Sequence, residues 1–348
     1  MRYFTLRIIK IIKDTPDVIT IYFKQPALKK ITYQAGQYLT LIVRINGRKY
    51  IRPYSFSSAP NIDSHLEITI KRFPGGVVSN YLYDCARVDD MIEVMEPLGD
   101  FVYEPANVDS NLKHVFLWGA GSGITPLMSI LKTVLHFSPQ KQVGLFYCNR
   151  TREQTVFYNE INTLKDSFEE NLKRWNFYTG TSEKIYNDSD ILGRLKEQDI
   201  ISIFRSIESY ENSIHYICGP ESFIETIKSA LSQLNIEDGK ILTEKFELLI
   251  DPGEFDDIET RNVKINQGGD HWEIEVVKGK NILDAALDQL IDLPYSCQTG
   301  SCLLCRAKIL NGKVKVIGLE KLPDEFLSDD CLLCCGYPYT NDVEIMIN

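Results

Sequence analysis

The chain has 348 residues, of which 44% are hydrophobic, and a formal net charge of −10 at pH 7. This length suits two or three domains, and the composition is that of an ordinary globular protein. So acidic a chain is not expected to bind nucleic acid. No apolar run approaches the length of a membrane span, and charges interrupt the hydrophobic residues at the start. We therefore expect a cytoplasmic protein without a secretory signal.

Residues 1–108 predict a small antiparallel β-barrel. Short β-branched runs alternate there with turns rich in Gly, Pro and Asn, which is typical of such a fold. The predicted strands include Val18–Phe23, Tyr38–Val43 and Leu66–Ile70.

Two short motifs in the predicted barrel carry groups that can hold a phosphate and an aromatic ring. The first, Arg52–Ser55, supplies a guanidinium for bidentate contact, a tyrosine face and a hydroxyl. The second, Gly75–Asn80, places paired glycines where a helix begins, so that backbone N–H groups can approach a phosphate. Each motif alone also occurs as an ordinary turn or helix cap.

Residues 109–248 predict an α/β domain, because strand-like and helical patterns alternate. The predicted strands are His114–Trp118, Val143–Tyr147 and Ile214–Ile217, and the predicted helices include Leu127–His136 and Glu221–Leu234.

A glycine-rich turn follows the first of these strands. Glycines permit a tight turn from strand to helix, and the helix N-terminus can bind a phosphate. Pro126 replaces the last glycine of the Rossmann fingerprint, near the helix start where proline is tolerated. The predicted nucleotide-binding residues are Gly119, Gly121, Gly123, Thr125 and Pro126.

Residues 249–261 are acidic and broken by Pro252-Gly253, which predicts a linker. Residues 262–348 have the size of a ferredoxin module, with one predicted helix near Asn281–Leu290.

Four cysteines of this last module predict a 2Fe–2S cluster. Their separations of four, two and twenty-nine residues match the plant-type ferredoxin spacing, and the ligands would be Cys297, Cys302, Cys305 and Cys335. Zinc is the alternative metal, although the cysteine ligands of zinc knuckles usually occur as two close pairs. Disulfides are disfavoured by the odd total of nine cysteines. Cys334 is the alternative fourth ligand, with a separation of twenty-eight residues.

The excess negative charge lies entirely in the last third. Residues 244–348 contain 20 Asp and Glu against 10 Lys and Arg, whereas residues 1–243 contain 28 of each. This acidity indicates either a solvated surface or a docking surface for a basic redox partner.

Together and in this order, the motifs of the first two domains resemble the ferredoxin–NADP reductase superfamily of flavoproteins. The resemblance implies that FAD phosphates bind to Arg52, Gly75, Gly76 and Ser79. It also implies that Tyr54 stacks on the flavin ring and that the Ser55 hydroxyl bonds the flavin near the nitrogen that receives hydride.

Two further motifs extend the resemblance. Cys218-Gly219-Pro220 matches the C-G-P motif, whose cysteine lies beside the nicotinamide. Glu244 and Phe246 match the superfamily's carboxylate near the hydride path and the aromatic residue that covers the flavin. The catalytic residues implied are Ser55, Cys218 and Glu244.

The residues after the second α/β strand favour NADPH over NADH. A carboxylate there would hold the 2′-hydroxyl of NADH, whereas a basic residue would hold the 2′-phosphate of NADPH. Arg150 and Arg152 lie at this point, and no carboxylate occurs before Glu153.

The module order resembles that of fused reductases of the phenylacetyl-CoA epoxidase type. It implies a multidomain enzyme: an antiparallel β-barrel FAD domain, an α/β nucleotide-binding domain and a C-terminal β-grasp plant-type ferredoxin domain. Electrons would pass from NADPH (or NADH) to FAD, to the 2Fe–2S cluster and to a partner oxygenase or hydroxylase. A general NAD(P)H–ferredoxin-type reductase serving a desaturase or another acceptor is one alternative. A non-enzymatic cluster-bearing electron carrier is the other.

Overall fold

The structure is a computed structural model that describes residues 1–27, 29–107, 109, 111–180, 189–248, 250–319 and 326–347. The chain divides into two compact units. The first contains residues 1–45 and 52–245, and the second contains residues 46–51 and 246–348.

Strands from the first hundred residues form a six-stranded sheet with antiparallel pairing, as the β-branched runs predict. Its strand order is β4-β3-β6-β1-β2-β5. The strands are β1 (Tyr3–Thr15), β2 (Val18–Phe23), β3 (Tyr38–Ile45), β4 (Arg48–Ser55), β5 (Leu66–Lys71) and β6 (Met91–Met95), and helix α1 (Val77–Cys85) lies between β5 and β6. Successive side chains of a strand point to opposite faces, and consecutive residues are buried along much of β2 and β3, so both faces of these strands are covered.

A second six-stranded sheet, parallel at every described pairing, completes the first unit. Its strand order is β10-β9-β8-β7-β11-β12, which places the first strand of this part, β7, in the interior beside β8 and β11. The elements in chain order are β7 (His114–Ala120), α2 (Ile124–Phe137), β8 (Gln142–Asn149), α3 (Tyr158–Ser167), β9 (Leu172–Tyr178), β10 (Asp190–Leu192), α4 (Glu197–Phe204), β11 (Ser213–Cys218), α5 (Glu221–Gln233) and β12 (Ile241–Glu244). The predicted α/β pattern is confirmed.

The predicted barrel and α/β domains fall within one compact unit, and side chains join them. The Tyr216 hydroxyl of β11 donates to the carbonyl oxygen of Val102 at 2.9 Å, and Tyr103 donates to Ser138 Oγ at 2.8 Å. Phe101 also meets the Tyr216 ring edge to face at 5.4 Å. The two sheets therefore share a packed boundary.

The second unit contains a mixed five-stranded sheet of order β14-β13-β19-β15-β17 and a two-stranded sheet of β16 and β18. Strands β13 and β19 are parallel and the other pairs are antiparallel. The elements are β13 (Arg261–Gln267), β14 (Asp270–Val276), α6 (Ile282–Asp288), β15 (Arg306–Asn311), β16 (Val314–Val316), β17 (Asp330–Leu332), β18 (Gly336–Pro338) and β19 (Glu344–Ile347).

The described part of the predicted linker packs within the second unit. A short 3₁₀ helix spans Pro252–Phe255, and Asp251 caps it by accepting the Gly253 N–H at 2.9 Å. Farther along, Ile258 is buried against Ile317 and Tyr337 of the same unit. Residues 250–258 are therefore an ordered attachment to this module.

Aromatic rings fill the core on one side of the parallel sheet and enclose a histidine. Trp118 stacks on Phe146 with ring centres 4.0 Å apart, and the buried His215 stacks on Phe116 at 5.2 Å. Helix α4 covers them with Phe204. Burial in this apolar cluster lowers the pKa of His215 to about 3.

A chain of hydrogen bonds holds the same histidine in one neutral tautomer. Trp118 Nε1–H donates to His215 Nδ1 at 3.2 Å, so that nitrogen carries no proton. The proton on Nε2 is then donated to Ser213 Oγ at 2.8 Å, and Ser213 donates to the carbonyl oxygen of Tyr210 at 2.5 Å. Protonation of Nδ1 would break the first of these bonds inside the core.

We expect His215→Gln to reduce the loss of stability in acid. The pKa of His215 is lowered in the folded protein from 6.5, the value of an ordinary histidine. The contribution of the neutral ring to stability is therefore complete above pH 6.5 and is lost as the pH falls toward 3. Across that window the free energy of unfolding of the parent should fall by about 1.4 kcal/mol per pH unit more than that of His215→Gln, because unfolding takes up one additional proton in the parent. Urea unfolding between pH 4 and 8 measures both. Parallel stability curves below pH 6.5 would contradict the neutral state of His215.

Candidate active site

The motif Arg52–Ser55 lies at the end of β4. Ser55 is buried, whereas Arg52 and Tyr54 are partly exposed. Side chains alternate along a strand, so Arg52 and Tyr54 share one face and Ser55 points to the other. Burial raises the pKa of the Tyr54 phenol despite the opposing effect of Arg52, so the ring stays neutral. One face of the strand end thus offers a cation and an aromatic surface together.

The paired glycines form the turn before α1. Gly75 has a φ of 75°, in the left-handed region that favours glycine. Gly76 is the N-cap of α1, and a Cβ there would lie 2.7 Å from Ser79 Oγ. The Phe73 N–H donates to Ser79 Oγ at 3.2 Å, which leaves the serine hydroxyl able to donate to a phosphate. Hydroxyl and backbone donors therefore meet at the N-terminus of α1.

The second glycine-rich turn joins β7 to α2 through a 3₁₀ turn at Gly121–Gly123. A Cβ at Gly123 would lie 2.1 Å from the carbonyl oxygen of Cys218, so only glycine permits this approach. Thr125 Oγ1 donates to the Ser122 carbonyl at 2.9 Å. Pro126 is the third residue of α2, where no N–H is needed for the helix ladder. The predicted nucleotide residues are thus brought together at the start of α2.

Cys218 and Glu244 lie side by side at the carboxyl ends of their strands. Cys218 pairs with Gly119 of β7 on one side and with Glu244 of β12 on the other. Cys218 is completely buried, and burial, reinforced by Glu244, raises the pKa of its thiol. Burial also raises the pKa of Glu244 to about 8. Both side chains are therefore held in their uncharged forms at neutral pH.

One oxygen of Glu244 lacks a hydrogen bond. Although the residue as a whole is partly exposed, Oε2 is buried and has no partner among the described residues. Buried polar atoms in folded proteins are nearly always satisfied, so such an oxygen indicates that a ligand supplies the missing partner. Glu244 belongs to β12 and pairs with Cys218 of β11, whose other neighbour in the sheet is Gly119 of β7.

Arg150 and Arg152 follow β8, as the sequence predicts. Arg150 is exposed, and the Arg152 guanidinium lies 4.5 Å from the ring centre of Tyr158, the first residue of α3. Arg174 of β9 lies 5.6 Å from the same ring. Sequence analysis missed Tyr158 and Arg174. An aromatic residue at a helix start shortly after two arginines was the available signal for Tyr158.

The cysteines of the second unit form two close pairs. In the first pair the Cys302 N–H donates to Cys297 Sγ at 3.4 Å, and the Cys297 N–H lies 3.5 Å from Cys302 Sγ. In the second pair Cys305 Sγ lies 3.3 Å from Cys334 Sγ. Cys335 Sγ lies 3.5 Å from Cys334 Sγ.

The cluster loop provides donors for these sulfurs. The Cys302 side chain, the backbone N–H of Thr299 and that of Cys302 lower the pKa of Cys297 to about 4. Gly300 has a φ of 81°, and a Cβ there would lie 3.2 Å from Cys335 Sγ, so the loop wraps closely over Cys335. Within the described ranges, no three or more His, Cys, Asp or Glu side chains converge on a single-ion site. Two sulfur pairs instead match a cluster in which each of two irons takes two thiolates.

Phe246 is the first residue of the second unit after β12 and is 45% exposed. Its predicted place over the flavin stays a prediction.

Family models match the three parts of the chain separately. An oxidoreductase FAD-binding domain matches residues 5–103, an oxidoreductase NAD-binding domain matches residues 117–229, and a 2Fe-2S iron-sulfur cluster binding domain matches residues 265–339. The chain is 31% identical over 355 residues to a component of the 1,2-phenylacetyl-CoA epoxidase of Escherichia coli (strain K12), covering 99% of this chain and 97% of the relative. The chain belongs to the ferredoxin–NADP reductase superfamily.

Other relatives share the same arrangement. The chain is 28% identical to the ferredoxin reductase component of 3-ketosteroid-9-alpha-monooxygenase of Rhodococcus rhodochrous, covering 98% of this chain and 95% of the relative. Among solved structures, phthalate dioxygenase reductase matches with a TM-score of 0.69 at 20% identity, covering 99% and 98% of the two chains. At that identity the likeness concerns the fold.

The protein is thus an NAD(P)H-dependent oxidoreductase that uses FAD and a 2Fe–2S cluster. Membership in this family excludes the zinc scaffold and the carrier without flavin that the sequence left open. When bound, FAD accepts two electrons as hydride and releases them singly, which is what a one-electron cluster requires. The residues fit these groups. Glu244 Oε2 lacks a hydrogen-bond partner, the start of α1 carries donors that can hold a phosphate, and the paired thiols can bind iron. Within the described part of the chain, no helix is both long enough and apolar enough to cross a membrane.

Gly123→Ala should sharply weaken nucleotide binding. The methyl group cannot fit 2.1 Å from the Cys218 carbonyl, so the start of α2 and the end of β11 must separate. Overpacking of this kind costs about 1–3 kcal/mol, which corresponds to roughly a tenfold to hundredfold loss of NADP⁺ affinity if the strain falls on the site. Equilibrium dialysis with NADP⁺ measures the loss.

Gly239→Ala is the matched control, since nothing lies within 4 Å of a Cβ at that position. It should bind NADP⁺ like the parent. Equal affinity of Gly123→Ala and the parent would show that the close approach is not needed for the nucleotide.

Proposed function

We propose that this protein is an NADPH-dependent reductase that passes electrons through FAD and its 2Fe–2S cluster to a partner oxygenase or hydroxylase. The observation that carries the proposal is the juxtaposition of Gly119, Cys218 and the unsatisfied Glu244 at the carboxyl edge of the parallel sheet. Ligands of open α/β sheets bind at this edge. A hydride donor held there would meet a cysteine and a carboxyl group, both uncharged.

The family resemblance supports the roles that we propose for the individual side chains. Ser55, Cys218 and Glu244 are the catalytic residues: the Ser55 hydroxyl bonds the flavin near the accepting nitrogen, and Cys218 aligns the nicotinamide. Glu244 holds a polar group of the bound cofactors through Oε2, the atom that lacks a partner. Arg52, Tyr54, Gly75, Gly76 and Ser79 hold FAD, and Gly219, Pro220 and Phe246 complete the cofactor contacts.

Relatives and charge support an oxygenase as partner. The two relatives above are named as parts of an epoxidase and of a monooxygenase. The last third of this chain carries the whole excess of negative charge, which suits a basic partner surface. The proposed setting is the cytoplasm, where reducing conditions suit nine free cysteines.

A stepwise titration tests the function. Under anaerobic conditions NADPH should bleach first the flavin absorption and then the cluster absorption, and a purified oxygenase component should reoxidise both. A protein that reduces ferredoxins or a desaturase but no oxygenase would establish the alternative, a general NAD(P)H–ferredoxin-type reductase. Absence of any bleaching by NADPH or NADH would refute the proposal.

Replacing Arg150 and Arg152 together by Ala should raise the KM for NADPH and leave that for NADH nearly unchanged. The two guanidiniums follow β8 at the place expected for the adenosine ribose, and Arg152 is steadied by the Tyr158 ring. Loss of charge-assisted bonds to a 2′-phosphate corresponds to about 1.5–3 kcal/mol, or roughly a tenfold or larger rise in KM. Steady-state kinetics with both nucleotides provide the measurement.

Arg205→Ala, which removes an exposed arginine at the end of α4, is the control and should change neither KM. A parent protein that already prefers NADH would refute the assignment.

For the fourth cluster ligand we propose Cys334 in place of Cys335, the ligand that the spacing predicts. The support is the 3.3 Å between the sulfurs of Cys305 and Cys334, which completes a second pair beside Cys297 and Cys302. Cys334→Ser should bleach or destabilise the cluster, because a hydroxyl is a poor substitute for a thiolate on iron. Cys335→Ser should retain the cluster.

Iron content, visible absorption and the electron paramagnetic resonance signal of the reduced protein distinguish the two variants. Loss of the cluster in Cys335→Ser with its retention in Cys334→Ser would restore the ligand predicted from the spacing.

A further inference from the structure

Lys132 is a buried charge in a helix that is mostly apolar. It is the only Lys, Arg, Asp or Glu of α2, and its side chain is 7% exposed. Its neighbours in α2 from Ile124 to Leu135 are all buried as well. An ammonium group in such a position needs partners, because an unpaired buried charge is strongly unfavourable.

Two carboxylates from different parts of the chain supply those partners. Lys132 Nζ lies 3.1 Å from Asp63 Oδ2 and 2.7 Å from Glu160 Oε1. Asp63 is itself fixed, because its Oδ2 also accepts the Ala59 N–H at 2.7 Å. Burial alone would lower the pKa of Lys132, but Glu160, Asp63 and Glu67 outweigh it and the pKa is raised. The lysine is therefore charged in the folded protein.

Each of the three segments that the Lys132 ion pairs connect lies close in the chain to a predicted cofactor motif. Asp63 lies in the loop that follows the flavin motif, eight residues after Ser55. Lys132 lies on α2, the helix that begins at the glycine-rich turn. Glu160 lies in the first turn of α3, two residues after the Tyr158 ring that supports Arg152. One nitrogen atom thus bridges the flavin part and both nucleotide parts of the first unit.

Stability alone is a weak reason for this arrangement. Apolar residues of similar volume often replace a buried ion pair without loss of stability, whereas a directional charge pair fixes one arrangement of its elements. The many apolar contacts of α2 would tolerate small shifts of the helix along its neighbours. The directional ion pairs of Lys132 would not.

We propose that Lys132 is a positioning residue that fixes the flavin loop against the two nucleotide-binding segments in the alignment hydride transfer requires. The inference rests on the proposed function and adds to it a residue that touches neither cofactor motif directly. Misplacement by about 1 Å at a reacting centre can lower a rate roughly a hundredfold, so a small rotation between the parts would suffice.

The test is Lys132→Met in the full-length protein loaded with FAD and cluster. The limiting rate of flavin reduction by NADPH in stopped flow should fall roughly tenfold to a hundredfold. The FAD content should match the parent, and the dissociation constant for NADP⁺ should change by less than about twofold, since a misaligned site still binds each ligand. Lys132→Arg should recover most of the rate, because a guanidinium can reach both carboxylates.

Lys141→Met is the matched control. Lys141 is also a buried lysine of the α/β part, but its Nζ donates to the backbone carbonyls of Leu112 at 2.7 Å and Asp109 at 3.3 Å. It joins no cofactor motif, so its loss should lower the melting temperature without a selective loss of hydride transfer. If Lys132→Met does not fold, Glu160→Gln keeps the volume and a hydrogen bond and should show a smaller loss in the same direction.

A second measurement needs no turnover. On heating, the temperature of flavin release and the temperature at which the α/β part unfolds should coincide in the parent and differ in Lys132→Met. Trp118 and Trp175 lie in the α/β part. Coincident transitions together with a parental reduction rate would overturn the inference, as would a rate loss equal to that of Lys141→Met. A parent that neither NADPH nor NADH reduces would refute the proposed function, and the thermal transitions would still decide the role of Lys132.

Discussion

The proposed active site depends on the contact between Gly123 and the end of β11. No side chain fits between the start of α2 and the Cys218 carbonyl, so the glycine-rich turn and the cysteine strand are held at backbone distance. This closeness follows from the strand order, in which β7 and β11 are neighbours and end at the same edge. The glycine-rich turn, the cysteine and, one strand farther, Glu244 are therefore placed together by the sheet itself.

Burial then decides the chemical state of that edge. Cys218 and Glu244 are neighbours, and the removal of water from both favours the thiol and the carboxylic acid over their ions. An uncharged edge suits a hydride path, since a fixed anion there would oppose the transfer of negative charge to the flavin ring. The same burial leaves Glu244 Oε2 without a partner until a ligand arrives. Strain of this kind is retained in proteins chiefly where function uses it.

Local patterns were sufficient for much of the fold. The β-branched runs, the turn at Gly119–Gly123 and the spacing of Cys297, Cys302 and Cys305 each reflect constraints within a few residues, and they predicted the sheets, the helix start and the cluster loop. The partner of Cys305 could not be found in this way. Counting residues favoured Cys335, whereas the fold of the chain between β15 and β18 brings Cys334 to Cys305. The two cysteines are adjacent in the chain, so spacing alone does not distinguish them, and the choice of Cys334 stays our proposal.

The bridge at Lys132 lay beyond the sequence for a different reason. A single lysine in an apolar helix is a visible signal, but its partners Asp63 and Glu160 come from segments 69 and 28 residues away in the chain. Only tertiary structure brings such groups together. Likewise, the acidic stretch near Pro252 has the composition of a linker, yet Ile258 and Phe255 pack against the module that follows. Two apolar side chains were enough to outweigh the local composition.

The closeness of the thiols has a consequence for how the protein is assembled in the cell. The sulfurs of Cys305 and Cys334, 3.3 Å apart, need little movement to form a disulfide, with loss of two protons and two electrons to an oxidant such as peroxide. As ligands of a bound cluster, these thiolates would be unavailable for this reaction. With Cys334 as the proposed ligand, a bond between Cys305 and Cys334 would close the site to iron. Cluster insertion would then have to precede oxidation of these thiols.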